Sequence, residues 1–426
     1  MRILHTADWH LGHRLYDQDR TPEHTAALAW LLELIELEKI DVVIIAGDIF
    51  DVTNPSNQAR ELYYGFLSGL LKSSVKGAIV VGGNHDSPSM LDAPRQLMQA
   101  LNLHVVGAAR SQVQDQVVKL GWGEGLDEEE LVVAAVPFLR ERDVRKSKFG
   151  ETTEERKEAL RQGIQAHFEA VAEAAKSARS DDTVPIVATG HLFVGGATDA
   201  EDKKSHIYQA DENNIEAGQF PDCFDYVALG HVHRAQSIDG NERVRYCGSL
   251  IPLTFVEGQR QRSVRIVDVN KAGEPISTRK VFVPSSRPLH RLHGEWPKLE
   301  KDIQTLVADW KASDRQGLLA WGEVRIKSDE LIPNLREKLA DCVREALGDD
   351  ADGEPIRFLR ASRDRLNPAP ASAQKEMREL DELEPADVFK IVCEAEDLSP
   401  ALTEEVTQDF RALINWHQDQ DQAATA

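Results

Sequence analysis

No stretch of this 426-residue chain approaches the roughly 18 consecutive apolar residues that a membrane-spanning helix needs. No membrane is therefore expected among its partners. Nor does it open with a basic, apolar, small-residue export segment; residues 1–7 run straight into a strand-like pattern, so a cytoplasmic location is expected. The 4 cysteines, Cys223, Cys247, Cys342 and Cys393, include no C-x-x-C pair, so neither a disulfide framework nor a structural zinc site is suggested. They are expected to be reduced and buried. Basic charge is also short, with 50 Lys and Arg against 72 Asp and Glu and a net charge of −22. At first sight that balance argues against a polyanionic ligand, because nucleic-acid binding draws on clustered cations. The excess acid is spread along the chain, however, and bound metal cations offset acid locally, so net charge alone does not decide.

What is present is a repeated plan. With 41% hydrophobic and 29% charged residues the composition is that of a globular protein, and the length calls for two or three domains. Five apolar runs each lead into a turn and then into donor side chains. Ile3-Leu4 precedes Asp8 and His10; Val42 to Ala46 precedes Gly47-Asp48; Ala78 to Val81 precedes Gly82-Gly83-Asn84-His85-Asp86. Pro185 to Ala188 precedes Gly190-His191, and Tyr226 to Leu229 precedes Gly230-His231-Val232-His233. Short β-branched runs of this kind predict strands buried on both faces. Helical spacing over 23–38 (Leu28, Leu31, Leu32, Ile35) and over 56–71 alternates with them, so an open α/β arrangement is expected, with its ligands outside the carboxyl ends of the strands.

After about Arg262 the pattern changes. Paired strands at 264–267 and 280–283 close at Pro284, and strands at 289–292, 322–326 and 356–359 with helices at 297–310 and 331–347 predict a second, small α/β unit. Residues 367–372 read as a linker. Beyond it Pro385 and Ser399-Pro400 mark helix starts, and Leu402, Val406, Phe410 and Leu413 share one helical face. That face either docks on another surface or packs back on its own domain. The last residues, 418–426, are expected to fray.

The donors point to metal chemistry. Asp8-x-His10 is weak by itself, and its two side chains face one way only if the chain turns, for which Gly12 is the available residue. Glycine directly before Asp48, Asn84, His191 and His231 permits close backbone approach to a cation. Seven donors, Asp8, His10, Asp48, Asn84, His191, His231 and His233, exceed what one catalytic cation can use. A shared Asp48 gives each of two cations four protein ligands. Imidazole, carboxylate and amide oxygen together suit Mn, Fe or Zn better than Mg, with Mn2+ the first choice. Two such ions about 3.5–4 Å apart activate water and clamp a phosphoryl group for in-line displacement. His85, left over after this assignment, suits stabilising the transition state or protonating the leaving oxygen, and Asp86 suits orienting it. Among the remaining histidines His5, His24, His104, His167 and His206 read as surface or packing residues, while His13 lies near enough in sequence for a minor substrate role.

The D-x-H, G-D, G-N-H-D, G-H and G-H-x-H series resembles the calcineurin-like metallophosphoesterases, an α/β two-sheet sandwich flanked by helices. Residues 3–12, 46–51, 137–140, 228–236 and 244–249 resemble more closely the SbcD nuclease-subunit branch. The resemblance implies a nuclease domain over 1–285, a small α/β DNA-capping domain over 286–365, and a linker with C-terminal helices over 366–426 that docks on an SbcC-type coiled-coil ATPase. It assigns Asp8, His10, Asp48 and His233 to one ion, Asp48, Asn84, His191 and His231 to the other, and His85 to catalysis without ligation. It further implies a homodimer within a heterotetramer, cytoplasmic and nucleoid-associated, acting in DNA repair, recombination and replication. The implied activity is Mn-dependent: 3′-5′ exonuclease on double-stranded ends and endonuclease on hairpins or single strands. Asp51 stands where archaeal and eukaryotic relatives carry a histidine, so that residue's role does not transfer. Arg140, Arg142 and Arg145, and Arg357, Arg360, Arg363 and Arg365, form two clusters read either as phosphate contacts or as solvated faces. A stand-alone phosphatase or phosphodiesterase shares the metal motifs but needs neither the second α/β unit nor the terminal helices, and a non-catalytic scaffold should have lost donors that this chain keeps.

Overall fold

The computed structural model describes residues 1–123, 129–146, 148, 150–197, 215–313, 317–329, 332–348 and 353–364, with helical positions 389, 393, 404 and 406–411 beyond. The chain divides into two compact units, Met1–Asp364 and Arg365–Ala426. The first begins with β1 (Arg2–Thr6), the hairpin β2 (Arg14–Leu15) and β3 (Gln18–Asp19), α1 (Thr21–Glu38), β4 (Val42–Ala46), α2 (Asn57–Leu70) and β5 (Gly77–Val81). Short helices α3 (Pro88–Asp92) and α4 (Arg95–Gln99) lead to β6 (Leu103–Val106), β7 (Val117–Trp122), β8 (Glu129–Ala134), α5 (Glu141–Val144) and α6 (Thr153–Ala178). Then come β9 (Ile186–His191), β10 (Tyr226–Gly230), β11 (Gln236–Ile238), β12 (Asn241–Tyr246), β13 (Ser263–Asp268) and β14 (Ser277–Phe282).

These strands make two six-stranded sheets, ordered β14-β13-β1-β4-β5-β6 and β11-β12-β10-β9-β8-β7. Strands β1, β4, β5 and β6 run parallel, as do β8, β9, β10 and β12, while the flanking strands β13, β14, β7 and β11 pair antiparallel. Period-two alternation decides which side chains meet between the sheets. Ile3, Val42, Ile44, Ile79 and Val81 pack against Val133, Val187, Tyr226 and Ala228 in the inter-sheet layer. On the outer faces α1 and α2 cover the first sheet, and α6 covers the second through Ile164, Phe168, Val171 and Ala175. Caps set where these helices begin. Ser56 Oγ accepts from the Ala59 N–H at 3.2 Å, and Thr152 with Glu155 forms a reciprocal capping box. The sequence reading assigns no element to 153–178, although Thr152-x-x-Glu155 is such a start signal.

A third sheet follows, all parallel, from β15 (Leu289–Gly294), β16 (Ala320–Lys327) and β17 (Ile356–Asp364), with α7 (Trp296–Ala312) and α8 (Leu335–Leu347) packed through Leu299, Ile303, Val307, Leu339 and Val343. A buried ionic knot joins it to the sandwich. Glu23 Oε1 accepts from Arg20 Nε at 2.8 Å and from Arg287 Nε at 2.5 Å, and the Arg287 guanidinium lies 3.9 Å from the centroid of Trp321. In the second unit the described positions are helical, and Phe389 stacks on Phe410 with centroids 4.0 Å apart. Val406 and Phe410 of the expected apolar face are described; Leu402, Leu413, Pro385, Ser399-Pro400, the 367–372 linker, Arg365 and His206 lie outside the described residues. All four cysteines are free, but Cys223 is only partly buried, which corrects the expectation for that residue. Among the described residues no helix is long and apolar enough to cross a membrane.

Removing Glu23 leaves two buried guanidinium groups facing each other. Glu23→Ala is therefore expected to lower unfolding stability by about 3–5 kcal/mol, read from urea denaturation; a change below about 1 kcal/mol would mean that the knot is solvated.

Candidate metal centre

Every expected donor sits at or just past the carboxyl end of a parallel strand. Asp8 and His10 follow β1, Asp48 follows β4, Asn84 follows β5, His191 ends β9, and His231 and His233 follow β10. The first sheet thus supplies the acids, the amide and one imidazole, and the second supplies three imidazoles. Close approach of the donor loops, between the layers and within the first, depends on missing side chains. A Cβ on Gly47 would overlap the His191 ring, and one on Gly83 would overlap the Asp48 carboxylate.

The turning of the chain is carried by the donors themselves. Asp8, His10, Asp48 and His231 have φ of 52°, 48°, 48° and 95°, in the left-handed region that non-glycine residues avoid. Gly12 does have φ of 90°, but the turn between Asp8 and His10 precedes it, which corrects the expectation that Gly12 provides it. A ladder of backbone bonds holds the strained loop: Asp8 N–H to Gly47 O at 3.0 Å, His10 N–H to Asp48 O at 3.0 Å, and Leu11 N–H to Ile49 O at 2.9 Å. The second sheet is tied in where the His231 N–H donates to Asp8 Oδ1 at 2.8 Å, and the His85 N–H donates to Asp48 Oδ1 at 2.9 Å. Strain of this kind persists only where the surroundings over-determine it, and it collects at functional sites.

Hydrogen-bond partners decide which imidazole nitrogen is left for a cation. His191 Nδ1 donates to Ala46 O at 2.9 Å, His10 Nδ1 to Asp51 Oδ1 at 3.1 Å, and His233 Nδ1 to Glu257 Oε1 at 3.1 Å. In each ring this leaves Nε2 for the centre, the arrangement in which an outer acceptor orients a metal-ligating histidine. His191 Nε2 then lies 3.1 Å from Asn84 Oδ1 and 3.2 Å from Asp48 Oδ2, and His231 Nδ1 lies 3.0 Å from Asn84 Oδ1. His191 thus stands among the oxygens of Ala46, Asn84 and Asp48. Burial alone would lower its pKa, but Asp48 and Asp8 outweigh burial and hold it above its ordinary value. Burial would likewise raise Asp48, yet His191, His10 and His85 hold it well below the usual carboxylate range. A divalent cation would replace the proton that bridges these oxygens and nitrogens. Asp8 Oδ2 and His10 Nε2, both buried, make no hydrogen bond. The donor atoms of Asp8, His10 and His233, and those of Asp8, Asp48 and His191, lie within 4.8 Å of one another. The residues present therefore fit a divalent-metal site.

His10, Asp51 and His85 also bring donor atoms within 4.8 Å of one another. Asp51 Oδ1, however, already receives His10 Nδ1 and His13 Nδ1, each at 3.1 Å, and His85 Nδ1 faces the Asp51 carbonyl at 2.7 Å. That trio is a hydrogen-bonded scaffold. His13 completes it by reaching Leu253 O at 3.0 Å, a holding position instead of the substrate role considered for it. Asp86 needs a correction too. Its carboxylate accepts from the backbone N–H groups of Ile49, Phe50 and Gly83 at 3.1, 2.9 and 2.8 Å, so it staples two donor loops together, and the Asp51 carbonyl orients His85.

Sequence reasoning missed Glu257 and left Asp51 without a role. Glu257 Oε2 takes Ser249 Oγ at 3.1 Å and the Leu253 N–H at 3.0 Å, while Oε1 takes His233. Burial would raise its pKa, but His233 and Arg262 hold it down to about 2. The arginine clusters are partly occupied. Arg145 is 5% exposed and paired with Glu141 and Glu151, which removes it as a surface phosphate contact. Arg140 is partly buried; Arg142 projects into solvent with Asp143 at 3.9 Å. Arg357 pairs with Glu354 at 3.4 Å, Arg360 donates to Tyr16 Oη at 2.8 Å beside Glu323, and Arg363 donates to Asp329 O at 3.3 Å.

Fold and donors together define a metal-dependent phosphoesterase. Residues 1–235 match the family model of the calcineurin-like phosphoesterases, and residues 285–397 match that of the type 5 capsule protein repressor C-terminal domain. The chain is 33% identical over 415 residues to SbcD of the SbcCD nuclease from Escherichia coli strain K12, covering 97% of this chain and 98% of that one. The SbcD of Rhodobacter capsulatus is 35% identical over 300 residues, and that of Bacillus subtilis 33% over 291, each covering 68% of this chain and 71% of its own. The chain belongs to the calcineurin-like phosphoesterase family and, within it, to the SbcD components of SbcCD nucleases.

Glu257 offers a test of the metal reading that does not depend on turnover. Glu257→Gln is expected to weaken Mn2+ binding by about 10–100-fold in calorimetric titration of the metal-free chain, and unchanged affinity would remove Glu257 from the account.

Proposed function

We infer that the chain is a metal-dependent DNA nuclease that works with an SbcC-type coiled-coil ATPase in DNA end processing, repair, recombination and replication. The observation that carries this reading is the convergence of Asp8, His10, Asp48, Asn84, His191, His231 and His233 from two sheets, in a chain similar over nearly its whole length to the E. coli SbcD. Two divalent cations, Mn2+ foremost, are proposed, with Asp8, His10, Asp48 and His233 holding one and Asp48, Asn84, His191 and His231 the other. When bound, they supply Lewis acidity toward the phosphoryl oxygens and lower the pKa of water.

The protein's own part follows from its hydrogen bonds. A carbonyl oxygen only accepts, so His85 Nδ1 carries the proton toward Asp51 O and Nε2 is the atom left to exchange a proton with substrate. Its N–H on Asp48 Oδ1 fixes that ring beside the shared carboxylate. Asp86 keeps the loops carrying Asp48 and Asn84 in register. Residues 1–285 are proposed as the nuclease domain, 286–365 as a DNA-capping domain and 366–426 as linker and ATPase-docking helices, in a homodimer within a heterotetramer. Arg140, Arg142, Arg357, Arg360 and Arg363 are proposed to touch DNA, with Arg360 released from Tyr16 to do so. The proposed polarity is 3′-5′ on double-stranded ends, with endonuclease action on hairpins or single strands, in the cytoplasm at the nucleoid.

With Mn2+ and the ATPase partner, the chain is expected to degrade linear duplex DNA and open hairpins, and Asp48→Ala to abolish both. Hydrolysis of a small phosphodiester without attack on DNA under any metal or partner condition would instead favour a stand-alone phosphodiesterase. His85→Ala is expected to lower kcat on DNA by about 10²–10⁴-fold while Mn2+ affinity, measured by calorimetry, stays within about twofold; a matching loss of metal affinity would make His85 a ligand.

A further inference from the structure

The inter-sheet layer is apolar along most of its length but not at one flank. Register makes His5, Arg265 and Lys280 direct cross-strand neighbours on β1, β13 and β14. Two residues earlier on β1, and two later on β13, the paired Ile3 and Val267 belong to the inter-sheet core, so this row faces inward as well. From the second sheet Arg245 lies opposite Ala228, another inter-sheet residue, and therefore faces the same layer. At the other flank the inward positions are Val118, Leu120, Leu131 and Val133. Packing alone does not call for cations here.

Two of these cations, Arg265 and Lys280, lack acid. Arg265 is 8% exposed, and its Nε makes no hydrogen bond. Among the described residues no carboxylate pairs with Arg265 or Lys280; Arg245 pairs with Glu242, which is itself 66% exposed. Burial, then Arg265, Arg245 and Arg234, hold Lys280 below its ordinary pKa, so the surrounding charge is positive. Arg279, on the same strand but the opposite face, is by contrast bound to Glu38. A guanidinium Nε–H buried without an acceptor is costly, and a chain of net charge −22 had acid enough to supply one. Lys280 Nζ also stands 5.8 Å from the ring of Phe282, which is 52% exposed on the sheet edge. Arg234 directly follows the metal donor His233 in the chain.

We propose that this flank of the sandwich binds the phosphodiester backbone of the DNA substrate, with Arg265, Lys280 and Arg245 facing its phosphates and Phe282 offering a stacking face to a base. The proposal rests on the nuclease reading and names where, beyond the metal centre, the strand is held. Backbone contacts of this kind add affinity without sequence preference and show as salt dependence.

The test is fluorescence anisotropy of a labelled duplex with the full chain in chelator, over a salt series, alongside hydrolysis of bis(p-nitrophenyl) phosphate with Mn2+. Lys280→Ala, at an exposed position, is expected to weaken DNA binding by about three- to tenfold at low salt and to reduce the salt slope by about one. Arg265→Gln is expected to do the same, with circular dichroism verifying its fold, whereas Arg279→Ala, which removes equal charge from the other face, should leave binding within about twofold. Small-ester hydrolysis should be unchanged in all three. If wild type binds and cuts DNA while Lys280→Ala and Arg265→Gln match Arg279→Ala, the site is overturned and the nuclease reading stands. A wild type that hydrolyses the small ester but neither binds nor cuts DNA overturns both. Thermal stabilisation by inorganic phosphate that is lost in Arg265→Gln without any effect on DNA would mark a free-anion site and overturn the backbone assignment.

Discussion

A carboxylate buried among imidazoles is stable only while positive charge stands with it, and Asp48 is in that position. Its Oδ2 lies 3.5 Å from His10 Nε2 and 3.2 Å from His191 Nε2, while Oδ1 takes the His85 N–H. Those partners come from β1, β5 and β9, so the two sheets must close on this one group in a single register. A one-residue slip of any of these strands would turn its donors away from the centre. The left-handed backbones of Asp8, His10, Asp48 and His231 follow from the same demand. At about 1–3 kcal/mol each, such conformations are held by the ladder of backbone bonds from Asp8, His10 and Leu11 and by the Asp86 staple.

Cation binding and folding are therefore linked. His191 Nε2 stands between Asp48 and Asn84, so the donors of both sheets meet around one ring. A divalent cation that binds only the folded chain shifts the equilibrium further toward it. Asp51 and Glu257 have their effect at this level, since each fixes one ring through Nδ1 and so leaves Nε2 directed inward.

The residues that converge on this centre were legible in the sequence because each repeats a local plan, an apolar run followed by a turn and a polar side chain. The sandwich and the small α/β unit were legible for the same reason, strand and helix periodicities being local properties. Asp51 and Glu257 were not, because their roles depend on residues 41 and 24 positions away along the chain and no spacing rule reports that. Asp86 misled through adjacency. It neighbours His85 in sequence, yet its carboxylate is satisfied by the N–H groups of Ile49, Phe50 and Gly83. Arginines misled in a related way, since Arg145 reads as surface charge until Glu141 and Glu151 are seen to enclose it.

The same limit bears on the objection from net charge. Charges separated by more than a Debye length, about 8–10 Å at ordinary salt, are largely screened. An acidic total of −22 spread over 426 residues therefore says little about the field at any one groove. What counts is which signs lie together on one face, and alternation hides this in the sequence. Lys280 and Arg279 are adjacent in the chain, but one faces inward beside Arg265 while the other meets Glu38 outside. Whether an acidic chain can hold a polyanion is thus decided by strand register rather than by composition.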